Sequence, residues 1–293
     1  MAYGYFYIPK SSTNDTLSTA RMKLKEIPIS IWQSLRLQTL SHKRLNETHK
    51  PKAKVVVSLT TIPSRLATLH LVIRSLLVQS VRPMKIVLWV QEGLSESLPK
   101  SLTQLQGSNF KIRYTKGSAS HRKLVHSLEA FPETPIVSCD DDLIYPKNWL
   151  ENLLYEAQMN PEAIVANQTR YIQYESDGAV KSYKDWTYPK DHFNPMRVIA
   201  IGAGGVYYPV GALDPLVTEE SLYMSLAPRA DDLWFKAMSL LKDTPTLQTK
   251  QPTKTPTPII GSQKIALKKT NIGQDKNKTQ WEALVAHFNF KTS

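Results

Sequence analysis

An α/β fold, with a mostly parallel sheet flanked by helices, is what this sequence predicts, on three observations. Short β-branched runs alternate with stretches of helical periodicity over roughly a hundred residues from Lys54 onward. The chain has 293 residues, 41% of them hydrophobic, enough to bury a sizeable core. Six Trp and thirteen Tyr separate most of its length from disordered sequence. Strands joined through helices run parallel, because the crossover returns the chain to the end at which it started.

The elements follow in order. KVVVSLT (54–60) is a short β-branched run and reads as a buried strand; TTIPSR ends it. From Ser64 to Gln79, Leu66, Leu69, Ile73 and Leu76 recur at helical spacing. MKIVLWVQE (84–92) reads as a second strand and FKIRYT (110–115) as a third. Leu124, Leu128 and Phe131 share one face of a helix over 121–131. PIVSC (135–139) is a fourth strand, and Pro146 opens a helix striped by Trp149, Leu150, Leu153, Leu154 and Ala157. Later come a short strand candidate at 163–167, a polar, turn-rich stretch at 174–195, and a glycine-bearing segment at 198–213. A helix is expected from Asp232 and another over 279–288. Between them, 243–258 holds four prolines and six threonines and reads as an exposed extended loop.

Charge divides the chain in the same places. Residues 1–54 carry 10 Lys/Arg against 3 Asp/Glu, and residues 242–293 carry 9 against 3; the stretch between carries 18 against 19. The expected organisation is a basic N-terminal extension (1–53), a central α/β domain (54–241) and a basic Thr/Pro-rich C-terminal segment (242–293). Basic ends suit an anionic partner or simply solvated charge. In the first of them, 28–45 mixes Ile31, Trp32, Leu35 and Leu40 with Arg36, Lys43 and Arg44, so it suits either an anionic bilayer or packing on the core. No apolar run reaches transmembrane length, no secretory leader is recognisable, and the single Cys139 excludes an internal disulfide. A cytoplasmic setting, peripheral to the membrane at most, is the expectation.

In parallel sheets, ligands bind at the carboxyl ends of strands. Three such ends carry polar groups here: Thr60, Thr61 and Arg65 after the first, Glu92 after the second, and Asp140, Asp141 and Asp142 after the fourth. Three adjacent aspartates repel one another unless a positive charge sits among them. Their oxygen donors suit Mg²⁺ or Mn²⁺, with Asp140 and Asp142 projecting together and Asp141 turned towards a ribose hydroxyl or away. The plainer alternative is that the triplet caps the helix after Pro146. A second acidic pair, Asp231 and Asp232, opens a later helix, where capping is again the plainer reading.

The block IVSCDDDLIYPKNWLENLL resembles the D-x-D region of GT-A-fold glycosyltransferases, in particular family-2-like bacterial enzymes of capsule and lipopolysaccharide assembly. The resemblance extends over VVVSLTTIPSRL, SLLVQSVRPMKIVLWV, HRKLVHSLEAF, GAGGVYYPVGAL and PRADDLWFKA, from about residue 54 to about 241 in the family's order. It implies a GT-A (Rossmann-like) domain that takes a nucleotide-diphosphate sugar, UDP-linked hexose or N-acetylhexosamine, and a glycan or lipid-linked glycan acceptor. It implies donor contacts from Thr60, Thr61, Arg65, Lys123, Asp140, Asp141, Gly204 and Gly205, with Glu92 at the neighbouring strand end. It implies a metal on Asp140 and Asp142, and a general base at Asp232 with Asp231 as second choice. A C-terminal metal ligand occurs in this fold, and His287 is the available residue, although its context reads as an ordinary histidine. His121 receives no role.

Two rival classes stay open. A magnesium-dependent phosphate-ester hydrolase would use the same triplet, but the chain offers no second metal cluster. A non-catalytic nucleic-acid- or glycan-binding protein would use the basic ends or a degenerate crevice. No nucleic-acid motif is present, so nucleic acid is not expected as a partner.

Overall fold

The computed structural model describes residues 23–47, 49–189, 193–250, 254–262 and 275–290. The first 22 residues of the basic extension lie outside these, as do parts of the C-terminal segment. The strands are β1 (Lys52–Thr60), β2 (Arg82–Gln91), β3 (Phe110–Thr115), β4 (Ile136–Ser138), β5 (Leu143–Ile144), β6 (Ile164–Ala166), β7 (Thr169–Tyr171), β8 (Val198–Ala200), β9 (Val206–Tyr208), β10 (Thr246–Gln248) and β11 (Thr257–Pro258). The helices are α1 (Glu26–Gln38), α2 (His42–Leu45), α3 (Leu66–Leu77), α4 (Lys100–Thr103), α5 (Arg122–Ala130), α6 (Trp149–Met159), α7 (Glu220–Leu226), α8 (Asp231–Leu241) and α9 (Lys276–Phe288).

Seven strands form one sheet in the order β10-β6-β9-β4-β1-β2-β3. β1 pairs in parallel with β2 and β4, β2 with β3, and β6 with β10. β9 alone runs against its neighbours, β4 and β6. The fold is therefore the mixed, mostly parallel α/β architecture expected from the alternation. Buried side chains form a cluster on each side of it. One gathers Val57, Leu59, Leu69, Ile73, Leu76 and Trp149 under α3 and α6; the other gathers Val56, Val87, Leu124, Trp234, Phe235 and Trp281 under α5, α8 and α9. Successive residues of β1 thus feed opposite clusters, as the two-residue strand period requires.

Two expectations need correction. The helix after Pro146 begins at Trp149, because Pro146 to Asn148 form a turn closed by the Trp149 amide on the Pro146 carbonyl. The stretch 243–258 is not simply an exposed loop. Thr246 is buried and β10 forms the edge strand beside β6, while β11 pairs with β5 next to the aspartate triplet. Threonine is β-branched and suits an edge strand as well as a loop, so composition alone does not separate the two. No helix among the described residues is long and apolar enough to cross a membrane.

Topology positions the crevice. β1 and β4 are parallel neighbours, so the loops after Thr60 and Ser138 emerge side by side. β9 is antiparallel to β4, with Val206 opposite Ser138. The segment entering β9 therefore emerges at that same end, and it carries Gly202, Gly204 and Gly205.

Candidate active site

A cavity of about 600 Å³ opens at this end of the sheet. Its walls include Thr60, Thr61 and Arg65 after β1, Asp140 to Asp142 after β4, Arg122 and Lys123 from α5, and Asp231 and Asp232 from α8. Glu92 is exposed after β2 and is not among the cavity's lining residues. His287, exposed in the last turn of α9, is likewise outside it.

Protein cations answer the repulsion within the triplet. One terminal nitrogen of Arg65 binds Asp141 Oδ1, and the other lies 2.6 Å from Asp142 Oδ2. Thr61 Oγ1 donates to Asp141 Oδ2 at 2.6 Å. Burial pushes the Asp141 carboxyl upward while Arg65 and Thr61 pull against it. Lys123 Nζ lies 2.9 Å from Asp140 Oδ1 and 2.9 Å from Asp231 Oδ2, tying the two acidic sites together. Burial alone would lower the Lys123 pKa, but Asp140 and Asp231 raise it well above the ordinary lysine value. Of these carboxylates Asp140 is the more open, its side chain 31% exposed.

The plainer capping readings do not describe these groups. The residue preceding α6 is Asn148, without a side-chain cap bond, and the triplet lies upstream across β5. The residue preceding α8 is Ala230, and Asp231 and Asp232 occupy the first turn itself. Their carboxylates face Lys123 and the Gly202 amide, which donates to Asp232 Oδ1 at 3.1 Å. The positive end of α8 still favours both charges.

The two neighbours titrate apart. Burial would raise Asp231, yet the charge of Lys123 outweighs it and holds the carboxyl below its usual range. Asp232 is pushed up to about 7, by burial first and then by the adjacent Asp231 and by Asp140. Two carboxylates with separated pKa values in one cleft can divide structural and proton-accepting roles.

The glycines divide too. Trp149 Nε1 and Asn167 Nδ2 both donate to the Gly204 carbonyl, at 2.7 and 3.0 Å. A Cβ on Gly204 would meet Gln168 at 2.8 Å, and one on Gly205 would meet Trp149 at 2.3 Å. Gly204 and Gly205, expected to touch the donor, thus pack on Gln168 and Trp149 and are not among the cavity's lining residues. Gly202 faces the charged groups: a Cβ there would meet Lys123 Nζ at 2.5 Å and Asp232 Oδ1 at 3.1 Å. Gly205 also has φ +92, which an L side chain rarely adopts. Gly205→Ala is expected to cost on the order of 3 kcal/mol, from backbone strain and overpacking together, measured as a shift in urea midpoint at unchanged slope.

Sequence reasoning passed over Gly202 and Arg122. Arg122 is buried, and its Nη2 donates to the carbonyls of Thr61 and Ser118 at 3.3 Å each, clamping the loop after β1 to the start of α5. No local signal marked Gly202: that it, rather than Gly204 or Gly205, meets the charged groups follows from where β9 begins and from side chains of other elements. The buried ring of His121 stacks on Tyr223 at 4.3 Å between centroids, and burial lowers its pKa to about 4, so it stays neutral. Among the described residues, no group of three or more His, Cys, Asp or Glu side chains is placed to hold a metal ion.

No protein-family model matches the chain, and no curated protein matches it in sequence. Among solved structures, the chain is similar to 4-diphosphocytidyl-2C-methyl-D-erythritol synthase from Anaerococcus prevotii. The identity is 10%, the TM-score 0.44, and the likeness covers 73% of this chain and 95% of that chain.

Proposed function

We propose that this chain is a GT-A-like glycosyltransferase, moving a sugar with inversion from a nucleotide-diphosphate donor, UDP-hexose or UDP-N-acetylhexosamine, to a glycan or lipid-linked glycan. The observation that carries the reading is the pairing of two unlike acidic sites across one cavity. The triplet stands at the strand ends, where a donor diphosphate is expected. Asp232 opens into the same space with a carboxyl poised near neutrality, suited to take a proton from an acceptor hydroxyl. In the transfer, the acceptor oxygen loses its proton to Asp232 and bonds to the anomeric carbon. The bond from that carbon to the phosphate oxygen breaks, and the nucleoside diphosphate leaves with the electron pair.

The protein side offers a divalent cation two carboxylates, not a full set of ligands, so the ion would arrive with the donor phosphates. The donor set is all oxygen, as Mg²⁺ and Mn²⁺ prefer, and two carboxylates plus substrate phosphates are a usual complement for such ions. The lining carries five aspartates, and its innermost cations are already engaged: Arg65 with Asp141 and Asp142, Lys123 with Asp140 and Asp231. Five aspartates against Arg65, Arg122, Lys123 and Arg229 leave this lining without a surplus of positive charge, and a divalent ion arriving with a diphosphate would supply it. Asp140 and Asp142 would hold the ion, whose chemistry when bound is to stabilise charge on the departing diphosphate. Arg65 orients Asp141 and Asp142, Thr61 fixes the other oxygen of Asp141, and Lys123 bridges Asp140 to Asp231 and holds Asp231 ionised.

The experiment is a panel of nucleotide sugars against the purified protein, with Mn²⁺ or with chelator. The cognate donor at about 100 times its Kd is expected to stabilise the fold by about 2.7 kcal/mol with Mn²⁺ and far less with chelator. Nucleotide release should follow the same pattern once acceptor is added. Release unaffected by chelator, or by Asp140→Asn with Asp142→Asn, would remove the metal from the reading. Stabilisation by no nucleotide sugar would remove the donor.

A further inference from the structure

Helix α1 is turned the wrong way round for a helix that only packs on a core. Its inner side, against α3 and β11, buries Leu37 but also Ser30, whose hydroxyl finds no hydrogen-bond partner. Its outer side carries the large apolar residues. Trp32 is 62% exposed, Leu35 57%, Ile29 49% and Ile31 47%. Surface apolar residues scattered singly are ordinary, but here Ile29 and Trp32 share one stripe, and Leu35 and Ile31 flank it around the outward half of the same helix, so the four form a broad patch.

The charges around the patch name its partner. Lys25, Ile29, Trp32 and Arg36 follow one another at spacings of four, three and four, so they form a single stripe with a cation at each end. The Arg36 guanidinium lies over the Trp32 ring, 5.7 Å from its centroid. Lys254 joins Pro28, Ile29 and Trp32 in lining an open groove beside the helix. Residues 23–54 carry eight Lys/Arg against two Glu. Tryptophan and branched apolar side chains inside a rim of long cations match the layering of an anionic bilayer surface. Apolar groups enter the acyl boundary there while Lys and Arg reach the headgroups.

We infer that the outer face of α1 is a peripheral docking surface for an anionic lipid membrane. The placement has a consequence for the cavity. Thr257 lines the groove beside Trp32, and the next residue, Pro258, lines the catalytic cavity. A membrane seated on α1 would thus rest against the segment that also lines the cavity. The inference stands on α1 and its surroundings and does not require the glycosyltransferase reading.

The test is sedimentation of the full chain with vesicles of phosphatidylcholine alone or with about one-third phosphatidylglycerol. Wild-type protein should partition onto the anionic vesicles roughly tenfold or more better than onto neutral ones, and lose much of that at about 0.5 M salt. Trp32→Ser with Leu35→Ser should abolish the binding, and Lys25→Glu with Arg36→Glu should weaken it by roughly tenfold or more. Because these side chains are exposed, both double variants should melt with wild-type protein. No pelleting with anionic vesicles overturns the inference, as does equal pelleting with neutral ones, or binding unchanged in either variant. A dimer that Trp32→Ser with Leu35→Ser converts to monomer, without lipid binding in wild-type protein, assigns the face to a second copy instead.

Discussion

Asp232→Asn is expected to lower turnover by about 10²–10⁴-fold, the range for removing a positioned general base. The amide keeps an acceptor oxygen for the Gly202 N–H, which donates to both oxygens of Asp232 at 3.1 and 3.3 Å. The fold should therefore survive. It should be no less stable than wild-type protein, because the native pKa is raised: an ionised Asp232 is disfavoured by its surroundings, and the variant removes that charge. The pH profile supplies a second reading. Protonated Asp232 cannot accept the hydroxyl proton, so kcat/KM should rise with pH and level off above about 7. That rising limb should vanish in Asp232→Asn. In Asp231→Asn it should move to lower pH, since the neighbouring negative charge that helps raise Asp232 is gone. Retained turnover in Asp232→Asn with an unchanged limb would move the base elsewhere.

Lys123→Met is expected to have a large and pH-dependent effect on stability. The ammonium is nearly fully buried and serves Asp140 and Asp231 at 2.9 Å each. Methionine fills a similar volume but leaves two carboxylates facing each other without their cation. Removing one partner of a buried pair costs about 3–5 kcal/mol. The partial exposure of Asp140 places the expected loss near the lower end, about 3 kcal/mol at pH 7. The pH dependence has a definite sign. Asp231 is depressed below its unfolded value, so its contribution is present above that value and is lost as pH falls through the native one. The gap between wild type and variant should thus be widest near neutrality and close towards acid. Urea melts at several pH values measure it; a gap under about 1 kcal/mol at pH 7, or one that does not narrow in acid, would mean that the bridge is not structural.

Much of the sheet was legible along the chain because its signals are local. The β-branched runs of β1 and β2 and the leucine spacing of α3 are patterns of one strand or one helix, and they appear where periodicity places them. The antiparallel insertion of β9 was not legible. A three-residue strand carries too little pattern to show direction, and its place between β4 and β6 depends on pairings remote in sequence. β10 was hidden for a similar reason, its threonines and proline resembling a linker until β6 supplies the partner. The glycines of 202–205 were visible as a group, but their division into one facing the carboxylates and two seated under Trp149 and Gln168 depends on side chains from other elements.

By itself, the sequence determined the alternation of elements, the acidic residues at the ends of the expected strands, and the concentration of positive charge in the two end segments. Only the tertiary structure decided how those acids are neutralised. Arg65 reaches Asp141 across 76 positions of chain, and Lys123 joins Asp140 to Asp231. These pairings exist because β1 and β4 lie parallel side by side, delivering their loops to one place, while the first turns of α5 and α8 converge on it. A triplet of like charges states that a cation is needed, since Coulomb repulsion is local. Which cation answers is settled by distances between distant segments, and those arise only when the chain has folded.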